Sequence, residues 1–144
     1  MGVRVWGAVG DRLVEVRVAP GPLEVGFRIV GLPRDRARTT ADRVRAAMVN
    51  SGVAPDVPPS QLLLEPCLAH GPTALLDLPI ALAALACVGV VDAGLGWVFA
   101  EGRLGLDGSV VGADGHRSGS LADAVGSCQP PLLGFERRFE GEHE

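Results

Sequence analysis

A chain of 144 residues with 47% hydrophobic and 21% charged residues has the balance of a globular protein and room for one domain with a real core. Its formal net charge of −4 argues against a general nucleic-acid binder, and all thirteen of its Lys+Arg residues are arginine, which excludes Schiff-base chemistry, a Ser–Lys dyad and the lysine-bearing phosphate loop G-x-x-x-x-G-K-[ST] for this chain. Cys67, Cys87 and Cys128 are too few and too scattered for a disulfide framework, the N-terminus lacks the apolar core of a signal peptide, and the uncharged run from Leu78 to Val91 is too short to cross a bilayer, so the expected setting is the cytoplasm, without a membrane partner.

Three segments alternate apolar and polar residues with period two: Val3 to Ala8, Leu13 to Val18 and Leu23 to Val30. Separated by Gly10-Asp11 and Pro20-Gly21-Pro22, they are predicted to form three half-buried antiparallel strands. Gly31-Leu32-Pro33 breaks this pattern and a helix is expected from near Arg34, with Ala37, Ala41, Val44 and Met48 on one side of the wheel as a core stripe and Gly52 as the C′ residue. Prolines 55, 58 and 59 mark a connection, Gln61 to Glu65 a short strand, and Pro66 to Leu76 a loop. From Leu78 to Val88 no charged or strongly polar side chain occurs, so this helix, with Cys87 inside it, must be surrounded by protein. Asp77 stands where an N-cap belongs, and Pro79 falls in the first turn, where its missing N–H costs nothing.

Trp97 to Glu101 and Arg103 to Leu106 are predicted to form a strand pair or one bent strand, followed by an Asp107-Gly108 hairpin signal. Beyond Gly112 the text becomes polar and glycine-rich, Leu121 to Val125 allows one helical turn, and the end is a run of alternating charges. The expected organisation is a domain over residues 1–111 and a divergent, poorly ordered tail over 112–144. Strands, helix, strand, helix and hairpin in this order give an α+β protein, a two-layer α/β sandwich with one mixed sheet and helices on one face.

Four segments carry a resemblance: Gly31-Leu32-Pro33, the helix Ala41 to Gly52, Asp77-Leu78-Pro79-Ile80-Ala81-Leu82-Ala83 and Gly102-Arg103-Leu104-Gly105-Leu106-Asp107-Gly108. In order and spacing they resemble the N-terminal domain of the magnesium-chelatase-like ATPases of the ComM/YifB type, over roughly residues 3 to 111. The resemblance implies the fold of the Lon proteolytic domain and of the second domain of a small-subunit ribosomal protein. It also implies that the domain precedes a hexamer-forming ATPase module, linked in full-length relatives to DNA branch migration in natural transformation, where ATP and Mg belong to that module. This chain departs from the pattern in two places: the loop before Asp77 has lost the basic residues usual in relatives, and the family's closing elements and ATPase module do not appear after Val111. The expectation is therefore a stand-alone remnant or a truncated reading frame, working as a homo-oligomer or with an ATPase module in trans.

Three features bear on chemistry. Thr73, within Gly71-Pro72-Thr73-Ala74, is similar to the nucleophile segment of Lon-type peptidases, where the base is a lysine; here Arg117 stays protonated and only His116 or His70 could stand in, and the plain reading is a threonine that turns or caps the loop. Cys67-x-x-His70 has the gap of half a zinc site, with His116 and Cys128 as conceivable further ligands, but a second tight pair is missing and no metal is expected. Arg34, Arg36, Arg38, Arg43 and Arg45 set five positive charges against Asp35 and Asp42 on one helix; Arg36, Arg43 and Arg45 are the candidate contacts to DNA or a protein partner, against the alternative of pairing along the helix as Asp35–Arg38 and Arg38–Asp42. The function expected is a non-catalytic accessory domain without a cofactor of its own, the alternative being a divergent peptidase using Thr73.

Overall fold

The computed structural model describes residues 4–20, 26–54, 56–68, 73–91 and 96–128. The elements are β1 (Arg4–Val9), β2 (Arg12–Pro20), β3 (Phe27–Val30), α1 (Arg34–Asn50), β4 (Ser60–Glu65), a 3-10 turn (Ala74–Leu76), α2 (Asp77–Cys87), β5 (Trp97–Phe99), β6 (Arg103–Leu104), β7 (Ser109–Val111), β8 (Arg117–Ser120) and α3 (Leu121–Ser127). The expected α+β two-layer sandwich is present, as a mixed five-stranded sheet in the order β3-β4-β2-β1-β5 with helices on one face. A second, three-stranded sheet, β6-β7-β8, accompanies it.

Period-two patterning places Val5, Val14, Val16, Ile29, Leu62 and Leu64 on the inner face, all buried, while Arg4, Arg17, Arg28 and Glu65 remain exposed on the other. Two strand expectations need correction. β3 does not pair with β2; it lies parallel to β4 at the sheet edge, Phe27 opposite Ser60 and Val30 opposite Leu63, with β4 inserted between it and β2. The reason is the intervening helix, since α1 carries the chain back to the start of the sheet and so forces a parallel neighbour. Likewise β5 and β6 are not a pair: β5 joins β1 in parallel, whereas β6 opens the second sheet against β7. Gly105, Asp107 and Gly108 form the expected hairpin, Arg103 standing opposite Val111.

α1 buries Thr40, Ala41, Val44, Ala47 and Met48, the predicted stripe, and ends as expected with Gly52 in a left-handed conformation (φ 81°). α2 is buried at every position from Asp77 to Leu85. Full burial of Leu76, Ile80, Leu82 and Leu85 contributes about 1.5–3 kcal/mol per side chain. Cys87, however, is exposed, because the helix emerges from the protein in its last turn. The boundary expected at residue 111 is displaced too: β8 and α3 follow, Ser120 caps α3 by accepting from the Asp123 N–H, and Leu121 and Cys128 are buried. That cap, a serine three residues ahead of an aspartate, is the sequence signal that the polar composition of 112–119 obscures. The remainder of the expected tail, 129–144, lies outside the described residues.

The close seating of α2 on the sheet depends on Gly7 of β1. A Cβ there would stand 2.8 Å from both Leu76 Cδ2 and Pro79 Cγ. Gly7→Ala should lower stability by about 1–3 kcal/mol through overpacking, read as an earlier urea midpoint at unchanged slope.

Candidate functional site

Three of the four family-like segments converge at one place, where the middle and end of α1, the start of α2 and the strand β6 meet; Gly31-Leu32-Pro33 lies elsewhere, at the end of β3, its Gly31 carbonyl accepting from Leu68 N–H. Asp77 does not cap α2. It is the first helical residue, Leu76 occupies the cap position, and that cap carries no side-chain hydrogen bond. Its carboxylate is instead completely buried and triply bonded: Arg43 Nε donates to Oδ2 and Nη2 to Oδ1, each at 2.9 Å, and the Leu104 backbone N–H donates to Oδ2 at 3.0 Å. The orphan N–H of Leu78 finds the Gly102 carbonyl at 2.9 Å, while the Gly102 N–H returns to Leu75. One bidentate pair thus ties α1, α2 and β6. The Asp77 hydrogen bond holds the Arg43 guanidinium above its ordinary pKa, against the lowering effect of its partial burial.

A second joint lies about two turns further along α1. Asn50 Nδ2 donates to the Leu106 carbonyl at 2.9 Å, and Leu121 N–H donates to the Gly108 carbonyl at 2.7 Å. Gly108, at φ 91°, approaches so near to α1 that a Cβ would come within 2.6 Å of Ser51 Cβ. Asp107 shapes this turn by accepting from the Ser109 N–H at 2.9 Å, and that bond lowers its pKa.

Arg43 therefore differs from Arg36 and Arg45, with which sequence grouped it. Its fork is engaged by Asp77 and 27% of its side chain remains accessible, whereas Arg36 and Arg45 lie on exposed positions of α1. Ion pairs among the described residues include Arg4–Glu15, Arg17–Glu65 and Arg43–Asp77; neither helix pairing expected for Arg38 is seen there. Thr73 is buried at the head of the 3-10 turn, its carbonyl accepting from Leu76 N–H and its hydroxyl making no cap bond. His116 is exposed in the β7–β8 connection, where its backbone binds Asp114 and Gly112. His70, the other conceivable base, lies outside the described residues. Cys67 is exposed and Cys128 buried, and no group of three metal-type ligands occurs among the described residues. No helix among them is long and apolar enough to cross a membrane.

The convergence of these segments into one structural joint is matched by a comparison with protein families: the profile of subunit ChlI of Mg-chelatase matches residues 14–123. The chain belongs to the ChlI family. The matched region starts within β2 and runs through Asp123 in α3, so it includes every member of both joints and extends past the boundary expected at residue 111. None of the curated proteins searched matches the chain.

Residues that sequence reasoning missed are Asn50, whose amide reads as a helix-terminating side chain, and the Leu104 N–H, which has no sequence signal at all. Arg43→Ala or Asp77→Ala should each cost about 3–5 kcal/mol, since either leaves a buried polar group without its partner, and the double variant should lose clearly less than the sum in a denaturation cycle. For Asp107 the lowered pKa means that its contribution is complete above the ordinary aspartate range and disappears as pH falls through the lowered value. Asp107→Asn, which keeps the turn acceptor, should therefore retain stability at pH 7 and lose part of the acid limb of a Tm-against-pH curve.

Proposed function

We propose that this ChlI-family chain is a non-catalytic assembly domain of the ComM/YifB type with a Lon-like fold, acting on other copies of itself or on an ATPase module supplied in trans. On this reading ATP and Mg bind to that module, and the activity served is DNA processing of the branch-migration kind, in the cytoplasm. The observation that carries it is the use of the family segments as a joint: Arg43, Asp77, Leu104, Asn50 and Gly108 hold α1, α2 and the second sheet in fixed relation. Residues with this task make a rigid body, which is what a domain needs in order to transmit position from one partner to another.

The absence of lysine supports a non-catalytic role for this chain, because neither the phosphate loop nor a lysine general base can be built from it. DNA contact belongs to Arg36 and Arg45, with the accessible part of Arg43 beside them; since Arg43 holds Asp77, its own contribution to DNA is secondary.

Light scattering of the purified chain, alone and mixed with a Mg-chelatase-family ATPase module, should show a higher-order species. A salt titration of binding to branched duplex should give a slope that falls by about two in the Arg36→Ala, Arg45→Ala variant, close to one counterion for each phosphate contact removed. A monomer under all conditions, joined with labelling of Thr73 by a hydroxyl-directed probe and turnover of unfolded casein, would overturn the reading in favour of a peptidase.

A further inference from the structure

The five-stranded sheet ends at β3, and beside that edge lies a groove of about 550 Å³ between β3 and the first half of α1. Its wall includes every consecutive residue from Phe27 to Leu32. Successive side chains of a strand point to opposite faces, so a surface bordered by all of them runs along the strand's edge, where the main chain is presented.

Which main-chain groups face outward follows from the pairing. The Gly26 carbonyl accepts from Ser60 N–H and so points toward β4. In a parallel strand the N–H and C=O of one residue point the same way and alternate between neighbours, so Arg28 and Val30 also face β4, leaving the N–H and C=O of Phe27 and Ile29 directed to the open edge. Among the described residues no strand pairs with that edge. Opposite it, α1 offers Ala37 and Ala41 as a small-residue floor, with Arg34 and Arg38 above. Both arginines are exposed and neither has an ion-pair partner among the described residues. They set two positive charges against the single negative charge of Asp42 at the groove, and Arg28 carries a third on the outer sheet face along the same edge.

We infer that this groove binds an extended acidic peptide segment of a partner protein, which adds to β3 as a sixth strand. Backbone pairing to Phe27 and Ile29 supplies affinity, alternate small apolar side chains of the peptide rest against Ala37 and Ala41, and its carboxylates meet Arg28, Arg34 and Arg38. Charge selects the partner, because an open edge alone pairs with any strand. The site lies at the start of α1, apart from the joint at Arg43 and Asp77, and stands whether or not the chain assembles with an ATPase module.

Fluorescence anisotropy with a labelled ten-residue peptide of alternating glutamate and valine tests this, together with amide shifts of the full chain read by NMR. Three comparison peptides accompany it: lysine in place of glutamate, N-methylation at alternate backbone nitrogens, and a proline-scrambled sequence. Saturable binding of the acidic peptide is expected, with Phe27 and Ile29 among the shifted amides. Affinity should fall about tenfold or more on N-methylation, and by a similar factor in the exposed-site variant Arg34→Glu, Arg38→Glu. That variant should keep the wild-type thermal midpoint, so lost binding is separable from lost fold. The milder Arg38→Gln should show an intermediate loss. The inference is overturned by equal binding of the lysine peptide, by indifference to N-methylation, by no binding at millimolar peptide, by self-association of the chain through β3 that peptide does not dissociate, or by single-stranded DNA shifting the same amides while the acidic peptide does not.

Discussion

Everything in this fold hangs on a carboxylate that has no access to water. Asp77 is fully buried at the start of an apolar helix, and an unpartnered charge in that position is prohibitive. Arg43 brings two donors in a fixed planar fork and Leu104 brings a backbone N–H, so the carboxylate has three hydrogen bonds from two different elements. The geometry admits no substitute: lysine would offer a point charge rather than a fork. Because the pair joins residues 34 apart in sequence, it also fixes the rotation of α1 relative to α2, which apolar packing alone leaves loosely specified.

The family-like segments take on a physical meaning from this. An arginine on a helix face, an aspartate before a leucine-proline pair and a glycine-flanked strand look unrelated when read along the chain, yet each is one part of the same joint. Gly102 satisfies the orphan amide of Leu78, Gly108 allows the turn to lie against Ser51, and Asn50 holds that turn from the helix side. Such residues serve the scaffold first. Functions that differ among proteins with this scaffold must then reside on what lies outside the joint: the exposed Arg34, Arg38 and Arg45 of α1, the edge of β3, and the outer sheet face, where Trp97 and Phe99 are exposed and Arg4 lies 5.1 Å from the ring centre of Trp6.

Local pattern carried much of the architecture. Alternation locates β1, β2 and β3, the prolines before it and the loop after it bracket β4, the apolar stripe locates the buried side of α1, and the uncharged run identifies α2 as an enclosed helix. Pairing was less legible, because alternation tells which face of a strand is buried and nothing about its neighbour; β3 and β5 were both misassigned for that reason, each being parallel to a strand distant in sequence. Asp77 shows the same limit at a single residue. Its position satisfies every local rule for a cap, and a guanidinium from another helix takes the carboxylate instead. Arg43 could not be told from Arg36 and Arg45 by helical spacing, since the three differ only in what lies opposite them. Order past Gly112 is hidden by composition: glycine and polar residues in 112–119 suit a hairpin turn as well as disorder, and the Ser120 cap with Leu121 behind it is what tells the two apart.

The enclosure of α2 has a kinetic side. Nine consecutive residues, Asp77 to Leu85, are covered from all directions, so there is no partial opening of the protein in which this helix meets water while its surroundings stay intact. Its backbone amides can exchange with solvent only when the sheet and α1 come away together, which makes α2 the slowest-exchanging part of the chain and the reporter of its global unfolding. The exposed strand edge at β3 belongs to the opposite end of that scale, able to open and re-pair while the centre remains closed.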